Sequence, residues 1–93
     1  MQTRSFPDSD IPYFCYDRKL TAGQIREQLG RANEAEWLRV ASWIMREATP
    51  SDVWAFLKPS HVYQQLPKLE PLLHRRRDFW RYILTAWHEL GKF

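Results

Sequence analysis

Over most of this chain the apolar positions recur at helical rather than alternating spacing. Trp37, Val40, Ala41, Ile44 and Ala48 follow steps of three and four, and so do Phe79, Trp80, Ile83, Leu84, Trp87 and Leu90. Such steps stack side chains on one face of an α-helix. Trp43 and Met45 widen the first face, while Arg39, Arg46 and Glu47 fall largely outside it. Arg77, Arg81, Thr85 and His88 lie opposite the second face. Only Ile11 to Tyr16 suggests a strand, and there is no internal repeat or low-complexity tract.

The punctuation between these runs predicts where helices begin and end. Thr21 with Gln24 has the spacing of a capping box, flanked by Leu20 and Ile25 as a hydrophobic staple. Gly30 is placed to end that first helix. Asn33 with Glu36 starts the second. In "ATPSDVW", Thr49 is a cap, Pro50 suits the first helical position and Asp52 favours the positive end of the helix dipole. Pro59 stops this third helix, and "SHVYQQL" makes two further turns between a Ser60 cap and a Pro67 terminator. "PKLEPLL" reads as a turn or a single helical turn, after which the last helix runs to Gly91.

Residues 1–19 read differently. Pro7 and Pro12 favour extended backbone before them, and Ile11, Tyr13, Phe14, Cys15 and Tyr16 form an apolar cluster that water accommodates poorly. The expectation is an all-α fold: a compact bundle of four to five short helices over 20–93, with an extended N-terminal aromatic arm over 1–19. The arm is expected to dock on its own body through Tyr13, Phe14 and Tyr16. The core is expected to centre on Trp37, Ile44, Trp54, Leu57, Trp80, Ile83 and Trp87.

Composition adds limits. The 93 residues amount to one domain, and the 15% aromatic content supplies large rings for a core that a short chain would otherwise struggle to fill. The net charge of +3 is uneven: residues 1–47 carry seven Lys/Arg against seven Asp/Glu, and residues 48–93 carry seven against four. That excess fits an acidic partner as readily as a solvated face. Cys15 is the single cysteine, so no intrachain disulfide forms. No apolar run approaches the ~20 residues that span a bilayer, and the start lacks a signal-peptide core, so a cytoplasmic protein with no membrane partner is expected.

The reactive residues do not assemble into a recognisable reaction centre. His61, His74 and His88 lie 13 and 14 residues apart, and none pairs with a ligand type one helical turn away. Cys15 sits between Phe14 and Tyr16, where burial suppresses the thiolate. Neither a GxSxG elbow nor a phosphate-cradling GxxxxGK[ST] loop is present. Neither an enzyme nor a cofactor is therefore expected.

Two binding classes remain. A nucleic-acid surface would use Arg75, Arg76, Arg77 and Arg81 of "HRRRDFWR" on phosphate, because guanidinium donors engage oxygens in pairs. It would use Gln64 and Gln65, in a helix-turn-helix-like segment at 50–66, on bases. A protein-binding surface would use the aromatic arm and the outer side of the last helix, including the arginines and His88, since interfaces favour Tyr, Trp and Arg. Homo-oligomerisation through the arm is a further option, tested by deleting residues 1–17.

Three stretches carry a family resemblance: "PYFCYDRKLTAGQIREQL", "EWLRVASWIMREATPSDVWAFLKPSHVYQQLPKLEP" and an aromatic helix ending in "AW". Together they resemble a family of small, uncharacterised prokaryotic helical proteins. Its pattern is roughly PYF-x-W-D, LT with a following helix, A-x-x-x-D-[VI]-W-x-[FY]-L and V-x-x-x-x-P-x-L. Tyr16 stands where the pattern often has Trp, and the entry to the last helix is more basic than the pattern. Members are often encoded beside nucleotidyltransferase-type toxins. The resemblance implies a non-enzymatic, antitoxin-like or operon-partner component whose protein partner is such a toxin. The alternative is a small DNA-binding regulator that uses the basic last helix.

Overall fold

A computed structural model describes residues 6–15 and 19–93. The predicted all-α fold is observed, with no strand among the described residues and with six α-helices in place of four or five. They are α1 (Ala22–Arg31), α2 (Glu34–Glu47), α3 (Pro50–Val53), α4 (Pro59–Gln64), α5 (Leu66–Leu69) and α6 (Arg77–Glu89). Short 3-10 turns occupy Tyr13–Cys15, Glu70–Leu72 and His74–Arg76. Within the short strand candidate at Ile11 to Tyr16, residues Tyr13–Cys15 form the first of these turns instead.

Two of the local capping signals act as read. Thr21 Oγ1 accepts from the Gln24 backbone N–H, and the Gln24 side chain accepts from the Thr21 N–H, closing the capping box. Asn33 Oδ1 accepts from the Glu36 N–H at 2.8 Å. The breakers behave differently from expectation. Gly30 lies inside α1, which ends at Arg31 because Ala32 turns to extended backbone. Pro59 opens α4 at its first position with Lys58 as cap, so Ser60 is helical rather than the cap. Pro67 lies within α5 rather than ending α4. Proline lacks only an N–H that the first helical turn leaves unbonded anyway, so it starts helices as readily as it stops them. That accounts for the extra helix.

One core gathers the buried residues of every α-helix and of the described arm. Trp80, Ile44 and Leu57 of the expected centre are buried; Trp37, Trp54, Ile83 and Trp87 are only partly so. Trp54 packs edge-on against Trp80, with ring centres 5.6 Å apart, and tilts over Trp87 at 5.7 Å. Truncating a fully buried ring such as Trp80 costs about 3–5 kcal/mol. The Trp80 indole N–H would be an added penalty if unpaired, and it donates to the Met45 carbonyl at 3.0 Å.

The arm docks on its own body. Phe14 is 2% exposed, in edge contact with Trp43 and Phe56. Phe6 packs against Phe14 and Phe56. The backbone joins in: the carbonyls of Asp10 and Asp8 accept from the N–H groups of Ala22 and Gly23. These amides belong to the first turn of α1 and have no partner within the helix. Arg26 fastens the same stretch by donating to the Phe6 carbonyl and Asp8, with its guanidinium 5.0 Å over the Phe56 ring. Tyr16, expected among the arm contacts, lies outside the described residues.

Candidate protein-interaction surface

The predicted arginine cluster does not form one surface. His74 takes a left-handed φ of 52°, a conformation side chains rarely favour, and opens a 3-10 turn. Helix α6 therefore starts only at Arg77, and Arg75, Arg76 and Arg77 are not consecutive positions of one helix. Arg76 turns inward, against its expected place on the outer face. Its guanidinium donates to the carbonyls of Met45 and Ala48 at the C-terminal end of α2. The last carbonyls of a helix lack internal donors and carry negative dipole charge, so a cation there is doubly suited. Arg46 reaches the opposite way and donates to the Leu72 carbonyl at 2.8 Å.

Arg81 stays at the surface with its Nε donating to Glu70. The hydrogen bond from Arg81 is the main cause that holds the Glu70 carboxyl below its ordinary range. Partial burial opposes it, and the charges of Arg81 and Arg77 reinforce it. The same hydrogen bond raises Arg81. Arg77 lies 3.5 Å from Asp78. Arg75 is exposed and makes no ion pair among the described residues. Three of the four predicted phosphate contacts are thus partly or wholly answered within the chain.

His88 is exposed, yet its ring stacks on Tyr63 at 4.3 Å and 14°, with Phe93 beside both. Gly91 at φ 75° makes this possible: its N–H bonds to the His88 carbonyl, and the Lys92 N–H bonds to the Trp87 carbonyl. That pairing is a Schellman turn, which reverses the chain after α6. Gln64 is exposed on α4 and Gln65 is half-buried at the junction with α5. Helix α3 has four residues and α4 has six, with no Lys or Arg in either. His61 of α4 stacks on Trp37 at 4.2 Å, tying that helix to α2.

Tyr13 is the polar anchor of the arm. Its hydroxyl donates to Asp52 at 2.7 Å and accepts from the Thr49 N–H at 2.8 Å. Phe14 is wholly committed to the core and presents nothing outward.

The outer side of α6 holds what the pattern of arginines obscured. The helix packs against α4 and the two 3-10 turns before it, and its Trp80 reaches the end of α2. Trp80 and Leu84 face inward. Phe79 and Leu90, which their spacing puts on the apolar face, are 41% and 71% exposed, and Tyr82 is 72% exposed. Phe79 and Leu90 sit on the flank of the apolar stripe and are left partly uncovered. Asp78, Tyr82, Thr85 and Glu89 follow at steps of four, three and four, on the side turned away from the core. With Arg81 and Ala86 they line a shallow hollow of about 420 Å³. Tyr82 was the signal missed in the sequence; an aromatic off the buried face was its only trace.

A larger open groove of about 630 Å³ lies between α1 and α2, lined mostly by Gln24, Glu27, Gln28, Arg31, Glu36 and Arg39 over Leu20 and Val40. Among the described residues no three His, Cys, Asp or Glu side chains gather to hold a metal ion. No helix among them is long and apolar enough to cross a membrane. No protein-family model matches the chain, and neither a curated protein nor a solved structure does.

Proposed function

We propose that the chain is a non-enzymatic protein-binding module that docks its partner on the outer side of α6. One observation carries this reading. Among the described residues, two of the five large exposed apolar side chains (Phe79 and Tyr82) project from this single helix, and a third, Leu90, is its C-cap. Aromatic and aliphatic groups gathered beside a mixed polar rim are the composition of a recognition surface. Arg75, Arg77 and Arg81 supply part of that rim. The motif resemblance suggests the partner class: an antitoxin-like or operon-partner role, with a nucleotidyltransferase-type toxin as the protein to test.

Nucleic-acid binding has less support. Arg76 is bonded to carbonyls, and Arg81 and Arg77 stand beside Glu70 and Asp78. Phosphate recognition depends on uncompensated cations, and acids placed among them repel the backbone.

The test is co-expression with the product of the neighbouring gene. A stoichiometric complex is expected, lost with Tyr82→Glu while the far-UV spectrum is kept. Its affinity should change little between low and physiological salt, where a phosphate contact would weaken steeply. Failure to co-purify, or a complex indifferent to Tyr82→Glu, overturns the reading.

A further inference from the structure

Lys19 joins the arm to the body, and it holds a left-handed φ of 52° while its N–H bonds to the Cys15 carbonyl. A residue with a Cβ stores strain in that conformation, and extended backbone would release it. We infer that two copies of the chain exchange arms: in a dimer, residues 6–15 of each copy dock on the body of the other, in the place its own arm holds in the single chain. The inference goes beyond the reading of α6 as a protein-binding surface and leaves that face free.

The arm is built to move as one piece. The Asp10 N–H bonds to the Pro7 carbonyl and the Cys15 N–H to the Pro12 carbonyl, while the Phe14 ring meets Phe6 and Tyr13 edge-on. Its seat is equally separate. The groups that receive it, among them the Ala22 and Gly23 amides, Arg26, Trp43, Asp52 and Phe56, all follow Lys19 in the chain. An arm from a second copy has the same sequence and finds the same bonds, so what is lost on leaving is regained on landing.

The difference between the two forms then lies at Lys19. A short connection held under strain favours exchange, because opening it relieves the strain in both copies. Left-handed backbone disfavours a residue with a Cβ roughly five- to thirtyfold, and two such residues are released per dimer. Against this stands the nearness of each arm to its own body, an effective concentration on the order of 1–10 mM for a short link. The balance sets the dissociation constant on the order of 10–100 µM.

Sedimentation equilibrium of the intact chain, held at about 1 µM to about 1 mM long enough for arms to release, reads this directly. The mass should climb from monomer toward dimer. Lys19→Gly, which is at ease in left-handed backbone, should weaken association about tenfold or more. Lys19→Val, which tolerates it least, should strengthen association. A charge exchange tells crossed arms from any other dimer. Asp8→Arg faces Arg26 with a second cation when the arm docks on its own body, and Arg26→Asp faces Asp8 with a second acid. When these two variants are mixed, only a mixed dimer with crossed arms sets opposite charges together at both seats. Native mass spectrometry should show that dimer about threefold or more above the share given by random pairing. Asp8→Arg with Arg26→Asp in one chain should behave as the parent does. Circular dichroism of each variant confirms that the fold is kept. A monomer at every concentration overturns the inference, as does a dimer indifferent to Lys19→Gly or a mixture that pairs at random.

Discussion

Tyr13 donates its phenolic proton to Asp52, 39 residues further along the chain, and so joins the arm to the start of α3. The Thr49 side chain makes no capping bond to that helix. The Tyr13 hydroxyl instead accepts the Thr49 N–H and serves the helix end from a distant segment. Asp52 is 3% exposed, and a buried carboxylate is tolerable only when its oxygens are satisfied.

Replacing Tyr13 by Phe keeps the ring and removes the hydroxyl. The Thr49 amide loses its partner and Asp52 loses a donor, which should lower stability by about 1–2 kcal/mol. In urea this appears as a lower midpoint at unchanged slope. An unchanged midpoint would show that the hydroxyl contributes nothing.

Arg76 and its neighbour Arg75 should separate sharply. Arg76→Ala strips the donors from the Met45 and Ala48 carbonyls and should cost about 1–3 kcal/mol. Arg75→Ala should stay within about 0.5 kcal/mol of the parent, as exposed substitutions do. Equal costs by thermal denaturation would contradict the inward course of Arg76.

Two helical glycines should respond differently. A Cβ on Gly30 meets open space, so Gly30→Ala should stabilise by up to about 1 kcal/mol through helix propensity. A Cβ on Gly23 would stand 3.0 Å from the Asp8 Cβ and 3.2 Å from the Asp8 carbonyl oxygen. Gly23→Ala must displace residue 8 of the arm by a few tenths of an ångström, and the gain in propensity should be reduced or cancelled. Parallel melts of the two variants decide the matter.

Acid should weaken the Glu70–Arg81 link. The Glu70 carboxyl is held low in the folded chain, so its contribution is present above the ordinary glutamate range and fades as pH falls through the lowered folded value. Glu70→Gln should therefore lower stability at neutral pH and match the parent more closely in strong acid. A gap between the two that widens on acidification would reverse the assignment.

Local signals were legible in the sequence because cause and effect lie within one helical turn. The Thr21–Gln24 box, the Asn33 cap and the spacing that buries Ile44, Trp80 and Leu84 belong to this class. Arg76 and Tyr13 could not be read in this way. Each acts on backbone groups from a remote segment, and no periodicity records which carbonyl or amide a long side chain will reach. Pro59 and Pro67 were ambiguous for another reason, since a residue that excludes helix behind it permits helix ahead. At the candidate surface, the stripe of α6 gave the direction of the core, but not how far the neighbouring elements extend over Phe79 and Leu90.

The close approach of the arm to α1 makes two backbone protons into gauges. The amides of Ala22 and Gly23 would meet water if residues 8–10 lifted away, and they are covered while those residues stay down. Their hydrogen-exchange rates therefore report arm release independently of global unfolding. Each variant or bound partner can be sorted by whether it frees these two protons alone or the deep core amides with them.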